Sequence, residues 1–66
     1  MYIKVNNTTR EITDNTSVEQ LVAQLKVSTN GIAVAINQHV VKNVNWSSTI
    51  IKNQDDIIII KSTQGG

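Results

Sequence analysis

Apolar and polar residues alternate at the start of the chain in a way that predicts a β-hairpin. Ile3 and Val5 alternate with Tyr2 and Lys4 and therefore share one face of a strand. Two asparagines follow at residues 6–7, and asparagine tolerates the positive φ angles that tight turns require. Residues 8–12 are rich in β-branched side chains and predict the returning strand.

A helix is predicted after this hairpin. Ser17 and Gln20 have the spacing of a capping box, in which each side chain accepts a hydrogen bond from the other residue's backbone N–H. Apolar residues then recur at i, i+3, i+4 and i+7, a stripe that has to be buried. They are Val18, Leu21, Val22 and Leu25. Gly31 can take the left-handed conformation that ends a helix, so we expect the helical pattern to stop in residues 28–31.

The second half of the chain predicts another hairpin and a final strand. Residues 32–36 form a short apolar segment that predicts a strand. Residues 37–39 predict a turn, and residues 40–41 predict a short returning strand. Residues 57–60 are four consecutive isoleucines after two aspartates, and such a run is typical of a strand that is apolar on both faces. Residues 42–56 lie between these strands and are polar with four exceptions, which we expect to pin a loop or short helical turn onto the core. The exceptions are Val44, Trp46, Ile50 and Ile51; Trp46 is expected to be a core anchor.

The order strand, strand, helix, strand, short strand, strand predicts an α+β fold of the β-grasp, or ubiquitin-like, type. One main helix would pack on one face of a mixed sheet of four to five strands, with the last strand beside the first. We expect residues 1–61 to form this single domain. Residues 62–66 carry no side chain able to anchor itself in a core, so we expect a flexible C-terminal tail.

Length and composition exclude several functions. A chain of 66 residues has no room for a deep pocket, so we expect no self-contained active site, no metal and no bound cofactor. A net charge of +1 without a basic cluster disfavours nucleic-acid binding, and the absence of cysteine excludes disulfides and thiol catalysis. His39 is expected to be solvated in a turn, and Asp55 with Asp56 to serve turn chemistry rather than a cation. No apolar run approaches membrane-spanning length and no secretory signal begins the chain, which indicates a cytoplasmic protein.

The end of the sequence carries the clearest chemical signal. Gly65 and Gly66 have no Cβ atom, so they can pass through a channel too narrow for other residues. Five extended residues from Ser62 reach roughly 17 Å. A free α-carboxylate is ionised and is a poor electrophile, so a partner enzyme would have to activate it with ATP as an acyl-adenylate. A frayed chain end is the alternative interpretation.

Several of these motifs occur together over the whole chain. They are residues 3–6, Ser17, Val18, Leu21, Leu25, residues 33–37, Val40, Val41, Trp46, Ile50, Asp55, Ile57 and residues 64–66. In this combination the chain resembles the ThiS family, the sulfur carriers of thiamine biosynthesis. The resemblance implies that a ThiF-type enzyme, which uses ATP and Mg, adenylates Gly66. The product would become a thiocarboxylate and donate sulfur to a ThiG-type thiazole synthase.

The resemblance also implies roles for the tail and for the last strand. Gly65 and Gln64 would form the part of the tail that passes into the partner enzyme. By the family register, Ile57 and Ile59 face the helix, while Ile58 and Ile60 lie on the open face of the sheet. There they either dock the partner enzyme or lie under a loop.

Three other functions remain open at this point. The first is a molybdopterin-type sulfur carrier, and the second is a ubiquitin-like modifier that ends in an amide to lysine. The third is a β-grasp binding module whose carboxyl end never reacts. In each case we expect the free chain to be a monomer.

Overall fold

The computed structural model describes residues 1–26 and 31–61. In this part of the chain, five strands form one sheet in the order β2-β1-β5-β3-β4. The elements are β1 (Tyr2–Val5), β2 (Thr8–Glu11), α1 (Val18–Gln24), β3 (Ile32–Ile36), β4 (His39–Val41), a 3₁₀ helix (Asn43–Ser48) and β5 (Asp56–Lys61). Strands β1 and β5 are parallel, and every other neighbouring pair is antiparallel. The predicted α+β arrangement is confirmed, with five strands and β5 at the centre.

Both hairpins turn at residues with positive φ angles. Asn6 and Asn7 have φ angles of 51° and 68° and join β1 to β2, which matches the turns that follow the right-handed twist of paired strands. Asn37 and Gln38 have φ angles of 50° and 74° and join β3 to β4 in the same way. Strand β2 ends one residue earlier than predicted, but Ile12 is still buried.

The capping box starts α1 as predicted. Ser17 Oγ accepts from the backbone N–H of Gln20 at 3.1 Å, and Gln20 Oε1 accepts from the backbone N–H of Ser17 at 2.9 Å. The prediction of the helix end was wrong, because α1 ends at Gln24. Lys26 takes a left-handed φ of 57° and donates its N–H to the Ala23 carbonyl at 3.2 Å, which interrupts the helical ladder. Of residues 28–31, where the end was expected, residues 28–30 lie outside the described residues, and Gly31 has the left-handed φ predicted for it, 72°.

A single core lies between α1 and the inner face of the sheet. The helix contributes Val18, Leu21 and Val22, while Leu25 at the C-cap is half-buried. The sheet and the connecting segments contribute Ile3, Val5, Ile12, Val34, Trp46, Ile51 and Ile57. The sheet residues of this core all lie on one face of the sheet. We call the other face the open face, because among the described residues it carries the exposed side chains Val40 and Ile60.

The segment between β4 and β5 is attached by two of its four apolar residues. Trp46 is buried and its indole Nε1–H donates to the Val41 carbonyl at 2.9 Å, which confirms it as a core anchor. Ile51 is also buried, but Val44 and Ile50 are exposed, contrary to the prediction. In a 3₁₀ helix each side chain is rotated by about 120° around the axis from the one before it, so side chains two positions apart differ by about 240°. When Trp46 faces the core, Val44 therefore faces away from it.

Candidate docking face and C-terminal site

Strand β5 separates its isoleucines between the two faces of the sheet. Ile57 is 0% exposed in the core, and Ile59 packs against the same core. Because successive side chains of a strand point to opposite faces, Ile58 and Ile60 lie on the open face. Ile58 is half-buried and Ile60 is 58% exposed. In the described part of the chain, therefore, no loop covers Ile60.

The neighbouring strands extend this apolar surface. Ala35 lies opposite Ile58 and Ala33 lies opposite Ile60 across the β3–β5 ladder, while Val40 lies opposite Ala35 on β4. Directly opposite residues share a face of the sheet. These five residues form what we call the apolar patch. The short alanine side chains of β3 thus lie between the longer isoleucines of β5 and the 73%-exposed Val40 of β4.

The sequence predicts only Ile58 and Ile60 on this face. Ala33, Ala35 and Val40 join them through the register of β3 with both of its neighbours. A signal for the two alanines was present, because they alternate with Ile32, Val34 and Ile36. Without the register, however, alternation does not say which strand lies beside them.

Charged and aromatic side chains border the apolar patch. Lys4 and Asp56 are opposite each other in the parallel β1–β5 pair. Their neighbours Val5 and Ile57 face the core, so Lys4 and Asp56 point to the open face. Tyr2 lies two residues before Lys4 on the same face and is exposed. The open face is therefore apolar where the patch lies on β5, β3 and β4, and it is polar along β1 and at the first residue of β5.

The start of β5 is held by a network around Asp55. Its carboxylate accepts hydrogen bonds from Asn37 Nδ2 at 3.0 Å and from the Lys52 backbone N–H at 2.8 Å. The Asn37 Oδ1 atom accepts from the Asp56 backbone N–H at 3.0 Å. Asp55 therefore has the turn role predicted for it. In residues 1–26 and 31–61, no group of three or more metal-binding side chains is found.

Strand β5 ends at Lys61, directly after Ile60 of the apolar patch. Its backbone is also bound by a side chain from β1's end: Asn6 Oδ1 accepts from the Ile59 N–H at 2.8 Å, and Asn6 Nδ2 donates to the Ile59 carbonyl at 3.3 Å. The predicted site residues Gln64, Gly65 and Gly66 lie outside the described residues. The chain thus enters residues 62–66 from the edge of the apolar patch.

The remaining predicted features are surface features. His39 is exposed as predicted, but it begins β4 and does not lie in the turn, which Asn37 and Gln38 form. Across the two described ranges there is no helix with the length and hydrophobicity needed to span a membrane.

A mixed five-stranded sheet in this order, with one main helix on one face and a C-terminal central strand that leads to Gly-Gly, defines a ubiquitin-like β-grasp protein. Within that class, the chain belongs to the ThiS family, whose model matches residues 3–66. The predicted family is thereby confirmed, and the match includes both terminal glycines.

Individual proteins agree with this assignment. The chain is 30% identical over 66 residues to the sulfur carrier protein ThiS of Escherichia coli (strain K12), and the alignment covers 100% of both chains. The crystal structure of the thiamine biosynthesis protein ThiS from Geobacter metallireducens matches with a TM-score of 0.87, 23% identity and 100% of both chains covered. The NMR solution structure of a thiamine biosynthesis protein from the same organism matches with a TM-score of 0.80 and 25% identity, covering 100% of this chain and 88% of that one. These structures confirm the β-grasp fold.

Proposed function

We propose that this chain is a sulfur carrier of thiamine biosynthesis that reacts through the carboxylate of Gly66. The observation that carries the proposal is the ThiS family match, which extends from residue 3 to Gly66 and so includes the glycines that would react. The name of the similar Escherichia coli protein, a sulfur carrier, supports the same function.

The chemistry takes place in partner enzymes, and the chain supplies the reacting group. In a ThiF-type enzyme, the Gly66 carboxylate attacks the α-phosphate of ATP, pyrophosphate leaves, and an acyl-adenylate forms. A carboxylate needs this activation because its negative charge makes it a poor electrophile. Hydrosulfide then attacks the acyl carbon, AMP leaves with the electron pair of the broken acyl–phosphate bond, and the product is the thiocarboxylate. The ATP and Mg belong to the partner, so the chain is a carrier and not an enzyme.

The apolar patch serves as the docking surface for this enzyme. Apolar side chains on the outer face of a sheet lose unfavourable contact with water when a partner covers them. The fold itself does not need them covered, because the core is complete on the inner face. Ile58 and Ile60 also lie on the strand that leads into the tail, so docking on the patch fixes the place from which the tail starts.

Distance limits where the partner's active site can lie. Gly66 is five residues beyond Lys61, and five extended residues reach roughly 17 Å. A docked patch therefore delivers Gly66 only to a catalytic centre within this distance of the end of β5. Gly65 and Gln64 pass through the intervening channel, where the missing Cβ of glycine allows a narrow wall.

The activated end then delivers sulfur to a ThiG-type thiazole synthase. Both partners would recognise a free monomeric carrier in the cytoplasm, the compartment in which ATP-dependent activation takes place. The partners are the enzymes that act on the carboxyl end of the chain, and we expect neither a nucleic acid nor a membrane among them.

The test is ATP–pyrophosphate exchange catalysed by the ThiF-type enzyme with this chain as the substrate. We expect exchange with the full chain and loss of exchange when Gly66 is deleted. A Val44→Ala variant, changed at an exposed residue outside the patch and the tail, serves as the matched control and should exchange normally. Normal exchange by the chain without Gly66 would contradict the proposal and favour a binding module that never reacts.

A second measurement separates the sulfur carrier from a ubiquitin-like modifier. The intact mass of the chain purified from its native cell should show a sulfur-for-oxygen replacement that fragmentation places at Gly66. Delivery of that sulfur to thiazole synthase separates the thiamine branch from the molybdopterin branch. An isopeptide bond between Gly66 and a lysine would overturn the carrier function.

A further inference from the structure

We propose that Asn6 is a positioning residue for the reaction at Gly66, because its side chain fixes the last part of β5 and with it the point from which residues 62–66 follow. The proposal rests on the sulfur-carrier function above. It gives a role in that function to a residue near the start of the sequence, whose hydrogen-bond partner Ile59 lies 53 positions later.

Strand β5 extends beyond the end of its parallel neighbour β1. The last pair of that ladder is Val5 with Ile57, and the Asn6 N–H still donates to the Ile57 carbonyl at 2.9 Å. Asn6 and Asn7, with positive φ angles, then turn the backbone away into β2. From Ile58 onward, no strand backbone from residues 1–26 or 31–61 therefore lies beside β5 on the β1 side.

Only every second residue of β5 directs its backbone N–H and C=O groups toward β1. On the β3 side, the Asn37 N–H donates to the Asp56 carbonyl at 2.8 Å, so Ile58 and Ile60 direct their N–H and C=O groups toward β3. Ile57 and Ile59 direct theirs toward β1. After β1 turns away, the described part of the chain offers no strand with which the N–H and C=O of Ile59 can pair.

The Asn6 carboxamide replaces the missing strand at this step. It accepts from the Ile59 N–H at 2.8 Å and donates to the Ile59 carbonyl at 3.3 Å. A carboxamide carries the same donor and acceptor as a peptide group, and both are needed here. Aspartate lacks the donor, serine cannot reach both groups, and glutamine places the amide one methylene further out.

This contact lies between the two isoleucines proposed to dock. Ile59 is flanked by Ile58 and Ile60, and it precedes the end of β5 by two residues. Without the Asn6 contact, the last residues of β5 would be held by β3 on one side only. The strand end could then fray, and fewer docked complexes would bring Gly66 to ATP in a reactive geometry, where misplacements of about 1 Å can cost roughly a hundredfold in rate.

The test compares Asn6→Gly with Asn7→Gly. Glycine accepts the positive φ angles of both positions, so each variant loses a side chain without added backbone strain. Asn7→Gly removes the neighbouring carboxamide from the same turn and keeps the contact between Asn6 and Ile59. Any effect common to both variants therefore belongs to the turn, and an effect confined to Asn6→Gly belongs to the contact.

Amide hydrogen exchange checks the contact itself. We expect Asn6→Gly to reduce the protection of the Ile59 amide by about tenfold or more, while the Ile60 amide, which faces β3, keeps its protection. Asn7→Gly should leave both amides as in the unchanged chain. Equal protection of Ile59 in the two variants would overturn the proposal.

Steady-state pyrophosphate exchange checks the positioning role. We expect kcat to fall about tenfold in Asn6→Gly with KM nearly unchanged. The apolar patch still docks on the enzyme, but the Gly66 carboxylate is less often positioned to react with ATP. A merely structural role would lower the unfolding temperature and leave kcat unchanged below it. Equal kcat values for the two glycine variants, or a raised KM with normal kcat, would contradict the proposal.

Two further measurements keep the outcome interpretable. If Asn6→Gly does not fold, Asn6→Asp keeps the acceptor for the Ile59 N–H and loses only the donor, and the same fall in kcat is expected. Exchange that persists without Gly66 would refute the sulfur-carrier function, and with it the role of Asn6 in that reaction. Exchange that requires Gly66 but ignores Asn6 would refute the positioning role alone.

Discussion

Replacement of Ile60 by alanine tests the docking role of the apolar patch most directly. Ile60 is 58% exposed, so that share of its side chain remains available for burial by a partner. Complete burial of an aliphatic side chain contributes about 1.5–3 kcal/mol, so the available share of Ile60 contributes about 0.9–1.7 kcal/mol. Ile60→Ala should therefore raise the Kd for the ThiF-type enzyme about four- to twentyfold.

The matched control is Val44→Ala in the 3₁₀ helix. Val44 is 82% exposed, more than Ile60, but it lies outside the sheet and the patch. Isothermal titration calorimetry with the adenylating enzyme should find a weaker complex for Ile60→Ala and an unchanged complex for Val44→Ala. Both variants should unfold at nearly the same denaturant concentration as the original chain, because both side chains are exposed. Equal Kd values for the two variants would refute the docking role.

Three further predictions concern the second docking residue, the core and the tail. Ile58→Lys should weaken the same complex in calorimetry while circular dichroism shows a folded domain; an unfolded variant would show that the open face is structural. Leu21→Ala, at a core position that is 1% exposed, should lower the free energy of unfolding by about 2–5 kcal/mol in urea titrations. An unchanged unfolding midpoint would mean that α1 does not depend on this face. Gly65→Ala should slow pyrophosphate exchange by about a hundredfold without changing stability, because one methyl group beside the reacting end misplaces the carboxylate; a normal rate would count against a tight channel.

Local features were predictable because their interactions span only a few residues. The paired asparagines at residues 6–7 indicated a turn with positive φ, and the spacing of Ser17 and Gln20 indicated a helix start; the structure confirms both. The end of α1 was not predictable in the same way. Lys26 takes a left-handed conformation that its residue type does not favour, and no local sequence pattern predicts this conformation.

The burial of the apolar residues in and around the 3₁₀ helix could not be predicted from the sequence pattern. All four apolar residues of that segment were expected at the core, but Val44 and Ile50 are exposed. The sequence left open whether this segment was a loop or a short helical turn, so no period was available from which the direction of an apolar side chain could be inferred. Its burial depends on the path of the backbone across the core.

The sequence by itself determined the elements, their order, the inward stripe of α1 and the Gly-Gly end, because propensity, capping and periodicity act along the chain. Only the tertiary structure decided that Ala33, Ala35 and Val40 join Ile58 and Ile60 on one surface, since that depends on strand register. It also decided that the Asn6 side chain reaches Ile59. Such contacts require β1 and β5 to lie side by side, and that arrangement arises only when the two strands bury Val5 and Ile57 under the same helix.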